Sequence, residues 1–209
     1  MDNRLKTGTT TVGMVCKDGI VLAADMRATA GSMIVDKRAE KLHIISEDFA
    51  VTIAGTVSDA QLLIKLSRAE LKLKEVKTNR RTTAKEAANL IGGLLYSNIR
   101  RPSMMPGIAH FLMGARDNEG VHLYDLFPDG SITKIKDYVS SGSGSVFAYG
   151  VLETQYSPDM STNDGVKLAV KAVNAALQRD SYSGNGINII VINDKEIKRV
   201  MQKELIAHL

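Results

Sequence analysis

Apolar and polar positions alternate from residue 10 to 16 and run almost unbroken from 20 to 24, with Lys17-Asp18-Gly19 between them. A period of two interrupted by a charged, glycine-containing turn predicts a β-hairpin. A looser stretch, 27–41, follows with mixed charges and Gly31. Two further strands are predicted at 42–45 and 49–53, joined by Ser46-Glu47-Asp48 and ended by Gly55. The period then becomes helical. Ser58 or Asp59 is suited to cap a helix running to about Lys77, although Leu62, Leu63, Leu66, Leu71 and Val76 fit one face only roughly.

Thr83-Ala84-Lys85-Glu86 has the form of a capping box, and Ala87, Ile91, Leu94 and Leu95 then recur at helical spacing. Gly92-Gly93 inside that helix lowers its propensity and marks close helix packing. Strands are predicted at 108–115, 121–127 and 131–135, a serine- and glycine-rich loop at 140–145, and a short helix to Leu152. Ser161 caps a third long helix with Val166, Ala169, Val170, Val173, Ala176 and Leu177 on one face. Residues 187–192 form a continuous apolar strand, expected at the sheet centre, and 196–209 fits either a strand plus helix or one helix. The order of strands, two helices, strands, two helices and strand suggests an α+β chain folded as a four-layer α/β/β/α sandwich. Periodicity alone also allows a two-layer α+β fold.

Composition narrows the class. The 209 residues are 44 % apolar and 24 % charged, which suits one globular domain. The net charge of +4 is concentrated on the first long helix (Lys65, Arg68, Lys72, Lys74, Lys77), with Arg80, Arg81, Arg100 and Arg101 beyond it. Aromatics are 5 % with no tryptophan, and none interleaves with these charges, which argues against a base-stacking nucleic-acid surface. No apolar run reaches the roughly 20 residues of a membrane helix. Cys16, the one cysteine, excludes an internal disulfide and a multi-thiolate metal site and reads as a buried structural thiol. Neither metal nor cofactor is expected, and the cytoplasm is the expected compartment.

Chemistry concentrates at Lys6-Thr7-Gly8-Thr9-Thr10-Thr11-Val12-Gly13. Residues 1–8 carry Asp2, Arg4 and Lys6 and lack the apolar core of roughly 7–15 residues that a secretory signal needs. They read as a removable leader. Cutting between Gly8 and Thr9 would put a hydroxyl beside a free α-amine, whose reference pKa of about 7.7–8.0 suits it to act as that hydroxyl's base. The same threonines would equally well begin an edge strand. Asp25 closes a strand, Lys41 precedes another, and Gly55 follows Ala54 where a backbone N–H can be left for an oxyanion. Asp180, Ser181 and Ser183 leave the third long helix. Singly, these also read as a turn residue, a solvated lysine and a helix-end carboxylate, and 141–145 as a flexible loop.

Together they resemble a known family. Gly8-Thr9-Thr10-Thr11-Val12-Gly13, Ala24-Asp25-Met26-Arg27, Lys41, Ala54-Gly55 with Asp59-Ala60-Gln61, Gly142-Ser143-Gly144-Ser145 with Tyr149-Gly150-Val151-Leu152-Glu153, and Arg179-Asp180 with Ser183-Gly184 follow one another as in the β subunits of the proteasome core particle, most closely the archaeal type. The resemblance runs from Gly8 to about Ile192 and implies the N-terminal-nucleophile hydrolase fold. It implies a propeptide, 1–8, and a single catalytic domain, 9–209. In that family Thr9 would be the nucleophile, Lys41 would lower its hydroxyl pKa, Asp25 would hold Lys41, and the Gly55 N–H would face the oxyanion. Ser143, Asp180 and Ser183 would orient the amine. Gly8 and Thr9 would flank an autolytic cut. Ala28, Thr29, Ala39, His43, Ile53 and Val57 would bind substrate and favour cleavage after large apolar residues, with His43 departing from the aliphatic pattern. Implied partners are copies of the chain in a seven-membered ring, proteasome α subunits, an ATP-dependent unfoldase and unfolded polypeptides, with neither nucleic acid nor membrane. An inactive ring subunit and a simpler bacterial-type threonine peptidase are the nearest rival readings.

Overall fold

The computed structural model describes residues 8–104 and 106–204. The first hairpin is β1 (Thr11–Cys16) with β2 (Gly19–Asp25). The looser stretch after it holds a small second hairpin, β3 (Ala28–Ala30) and β4 (Met33–Asp36), which the sequence pattern did not show. Then come β5 (Leu42–Ile44) and β6 (Phe49–Gly55). Helix α1 (Val57–Thr78) starts one residue after Thr56, so neither Ser58 nor Asp59 is its cap. The reason lies in the backbone: Gly55 has φ +108, which turns the chain out of β6, and the Thr56 carbonyl accepts the first helical bond from Ala60 N–H at 3.0 Å. Its buried stripe is Ala60, Leu63, Ile64, Ser67 and Leu71, while Leu62, Leu66 and Val76 face outward.

Helix α2 (Ala84–Ile99) carries the expected capping box, Thr83 accepting from Glu86 N–H and Glu86 from Thr83 N–H. Gly92 does not serve helix packing: a Cβ there would press on Ile132 and the Gly130 carbonyl, whereas one on Gly93 would meet open space. Strands β7 (Ala109–Asp117), β8 (Gly120–Leu126) and β9 (Ile132–Ile135) form a meander. The expected serine-rich loop is partly a strand, β10 (Tyr138–Ser141), with Ser140 and Ser141 buried. Helices α3 (Ser145–Gln155) and α4 (Thr162–Leu177) follow, the latter capped by Ser161 as expected. The chain then forms β11 (Gly186–Ile192) and β12 (Ile197–Glu204). The tail is therefore a strand as far as Glu204; 205–209 lie outside the described residues, as do residues 1–7 of the expected leader.

Two antiparallel five-stranded sheets result, ordered β10-β1-β2-β11-β12 and β5-β6-β7-β8-β9. β11 is interior, but β2 holds the centre. Three apolar clusters separate the layers. Phe49, Val51, Phe111 and Met113 pack the second sheet on α1 and α2, and Met14, Val21, Ala23 and Ile189 pack the first on α3 and α4. Between the sheets lie Leu22, Ala24, Leu112, Leu123 and Ile190. This is the four-layer α/β/β/α sandwich. Cys16 lies beneath α4, where burial, aided by Asp18 and Asp164, pushes its thiol up to about 12, which suits a structural thiol.

Candidate active site

The site lies on the seam between the two sheets. Thr9 and Thr10 lead into β1, Asp25 ends β2, and residues 180–184 precede β11, all on one sheet; Lys41 immediately precedes β5 and Gly55 ends β6 of the other. Asp25 is fully buried, and its carboxylate accepts four hydrogen bonds. Oδ1 takes them from Thr10 N–H (2.9 Å) and Lys41 Nζ (2.8 Å), and Oδ2 from Arg27 N–H (3.0 Å) and Gly184 N–H (2.9 Å). The Asp25–Lys41 ion pair thus crosses the seam.

Lys41 is 5 % exposed. Burial pushes its ammonium below the ordinary lysine range, with the Asp25 charge and hydrogen bond pulling the other way. Besides Asp25, Nζ donates to the Gly8 carbonyl oxygen at 3.0 Å. Thr9 Oγ1 donates to that same oxygen at 2.7 Å. The carbonyl of the Gly8–Thr9 peptide is therefore polarised by an ammonium and a hydroxyl at once.

A second hydrogen-bond chain holds the other side of Thr9. Its N–H donates to Ser143 Oγ at 3.3 Å, and Ser143 donates to Asp180 Oδ2 at 2.6 Å. Ser183 Oγ donates to the same carboxylate oxygen at 2.7 Å and pairs with Thr10 Oγ1 at 2.7 Å. Gly142, at φ +91, makes this approach possible, because a Cβ there would strike the Thr9 carbonyl. Arg27 fixes the loop after α4, donating from Nε to Asn185 and from Nη1 to the Ser181 carbonyl while its guanidinium covers Gly184.

Thr9, Lys41 and Gly55 share a cavity of about 410 Å³ with all six expected substrate residues, Ala28, Thr29, Ala39, His43, Ile53 and Val57. Larger cavities of about 510 and 540 Å³ lie elsewhere, but the lysines that line them, Lys72, Lys85 and Lys134, are exposed, whereas Lys41 is buried and paired with Asp25. Val35, Asp36, Glu40 and Gln61 also line the site and were not anticipated. Asp36 and Glu40 add carboxylates to the lining. Both have partners: Asp36 accepts from Arg38 N–H, and Glu40 pairs with Arg199 Nη2 at 2.7 Å. Arg199 also donates to the Leu42 carbonyl, so β12 grips the residues on either side of Lys41. His43 Nε2 lies 2.9 Å from the Glu40 carbonyl, and burial pushes its pKa down against the pull of Glu40.

Sequence reasoning passed over Thr10, Arg27 and Arg199. Thr10 and Arg27 stood inside the quoted motifs, adjacent to Thr9 and two after Asp25; Arg199 gave no local signal, since its role depends on pairing between distant segments. Among the described residues no group of three or more His, Cys, Asp or Glu side chains is placed to hold a metal ion.

Comparison with known proteins identifies the family. The family described as "Proteasome subunit" matches residues 5–192. The chain is 41 % identical over 199 residues to a proteasome subunit beta of Methanocaldococcus vulcanius, covering 95 % of this chain and 87 % of that one. It is 39 % identical over 205 residues to that of Archaeoglobus fulgidus, covering 98 % and 94 %. With that of Methanococcus maripaludis strain C5 the identity is 43 % over 199 residues, covering 95 % and 89 %. The chain therefore belongs to the proteasome subunit family, among the β subunits of archaeal type, which are threonine endopeptidases of the N-terminal-nucleophile class.

Proposed function

We propose that this chain releases its own residues 1–8 and then cleaves unfolded polypeptides with Thr9 as nucleophile. The observation that carries the reading is the Gly8 carbonyl oxygen, shared by Thr9 Oγ1 and Lys41 Nζ. In the first reaction Oγ attacks the Gly8 carbonyl carbon and a C–O bond forms. The oxygen that gains charge lies against the Lys41 ammonium. The C–N bond then breaks, the nitrogen takes up the proton the hydroxyl has lost, and Gly8 is left as an ester on Thr9. Water hydrolyses that ester to a Gly8 carboxylate and a Thr9 with free hydroxyl and α-amine.

On a substrate the freed amine takes the hydroxyl proton, an acyl ester forms, the proton passes to the leaving amine, and water completes the cycle. Lys41, held by Asp25, favours the ionised hydroxyl, and the Gly55 N–H serves the oxyanion. Ser143, Asp180 and Ser183 orient the amine. Threonine suits the role because its β-methyl limits χ1 and keeps Oγ aimed. The mostly apolar pocket lining supports a chymotrypsin-like preference, with Glu40 neutralised by Arg199. By family, the working form is a seven-membered ring stacked on rings of α subunits in the cytoplasm, fed with unfolded chains by an ATP-dependent unfoldase.

Intact mass and N-terminal sequencing of assembled particles test the first step. Thr9 is expected as the first residue of active material, and Thr9→Ala is expected to abolish both processing and peptide cleavage. Active particles that retain residues 1–8 would refute the reading.

A further inference from the structure

A second polar chain crosses the seam near Thr9, and the chemistry above does not use it. His110 on β7 has Nε2 at 2.5 Å from Asp125 Oδ1 on β8 and Nδ1 at 2.6 Å from Ser141 Oγ on β10. Its ring packs against Phe127 in a tilted arrangement, with centroids 4.5 Å apart and planes 49° from parallel. Asp, His and Ser in one hydrogen-bonded line can activate a hydroxyl for attack. Here Ser141 is 4 % exposed and shares with Val139 the face turned to the other sheet, so a substrate cannot reach it. The chain therefore holds rather than attacks.

What it holds is the end of β10. That strand is four residues long, lies at the edge of its sheet and pairs only with β1, where Ser141 faces Thr11. A short edge strand with one neighbour is weakly restrained. Directly after Ser141 come Gly142, packed on the Thr9 carbonyl, and Ser143, which accepts from Thr9 N–H. Asp125 accepting from Nε2–H leaves the Nδ1 lone pair for the Ser141 hydroxyl, so the carboxylate selects the tautomer that ties β10 to the opposite sheet.

We propose that His110 is a positioning residue for peptide hydrolysis: through Ser141 it fixes the Gly142–Ser143 turn against Thr9, with Asp125 orienting the ring. This rests on Thr9 being the nucleophile. The test uses assembled particles and a fluorogenic apolar peptide, with kcat and KM measured separately, thermal midpoints recorded, and Thr9→Ala run alongside. His110→Ala is expected to lower kcat roughly 10- to 100-fold with KM within about twofold, the scale of a reacting group slightly misplaced. His110→Gln is expected to recover most of that loss, since its amide can accept from Ser141 and donate to Asp125. Combining His110→Ala with Ser141→Ala is expected to be no worse than His110→Ala alone, because both break one chain. Should His110→Ala not assemble, Ser141→Ala removes a single hydrogen bond with little change in volume and gives the same readout. Unchanged kcat, a change confined to KM or the thermal midpoint, or additive losses would overturn the proposal. Activity in Thr9→Ala would instead sink the nucleophile assignment; a dead Thr9→Ala beside fully active His110 variants would sink this one alone.

Discussion

Asp25 and Lys41 form one ion pair but are not equivalent, because three of the four donors to Asp25 are backbone N–H groups. Lys41→Ala leaves those three in place, so we expect it to fold and assemble while losing processing and turnover. Asp25→Ala strands the N–H groups of Thr10, Arg27 and Gly184, at about 1–3 kcal/mol for each one left buried and unpaired. Denaturant unfolding should therefore show Asp25→Ala as the less stable variant; equal stability would contradict the geometry. The titration of Lys41 has a definite sign. Its folded pKa lies below the unfolded one, so the fold binds fewer protons between the two values and stability rises with pH across that window. The cation is also lost at lower pH than from a free lysine. We expect kcat of mature particles to decline on the alkaline side before about pH 10.4, the ordinary lysine value. Lys41→Arg, which keeps its charge, should lack that decline whatever its absolute rate. Gly8 is constrained as well: a Cβ there would collide with Cβ of Tyr182. Gly8→Ala should slow leader release, measured by mass against time, without altering catalysis once the leader is gone.

Long elements with consistent periodicity were legible in the sequence: the β1–β2 hairpin, the Thr83 capping box of α2, the Ser161 cap of α4. β5 and β9 were also legible although short, but β3, β4, β10 and β12 were not. β3 and β4 have three and four residues, with Met33, Ile34 and Val35 turned to solvent, which inverts the usual apolar-inside pattern. β10 was hidden because its buried residues include two serines, whose hydroxyls bond Thr11 and His110. β12 alternates half-buried and exposed positions rich in charge, and only its pairing with β11 makes it a strand. That pairing sets Arg199 against Glu40 and Leu42. We expect Arg199→Ala to loosen the segment bearing Lys41 and to slow leader release roughly tenfold, the scale of modest misplacement. A time course indistinguishable from the unmodified chain would show that β12 has no part in placing the lysine.

At the scale of the molecule, the site was legible as a set of residues well before its architecture was. The hydroxyl, lysine, carboxylates and serines could be named because each is tied to a short motif, and they do converge. That they sit on a seam could not be read, since sequence period reports which face of a strand is buried but not which sheet the strand joins. Gly13 and Gly114 mark how closely the sheets approach: a Cβ on Gly13 would press on Leu123, and one on Gly114 on Ile192 and Leu22. Gly114 pairs with Ala50, five residues before Gly55 on β6 and about 17 Å along the strand. Gly114→Val should wedge the sheets apart, costing about 1–3 kcal/mol as overpacking does. Because Asp25 and Lys41 lie on opposite sides, it should also reduce turnover. Loss of stability with full activity would mean that the two halves of the site tolerate separation.

The shared Gly8 carbonyl has a consequence for timing. While residue 8 remains attached, the Thr9 hydroxyl and the Lys41 ammonium are both engaged by the chain's own backbone. On the mechanism proposed above, a foreign peptide could claim them only after that oxygen is released. Each copy would then be its own first substrate, and destructive capacity would arise only after a single self-inflicted cut.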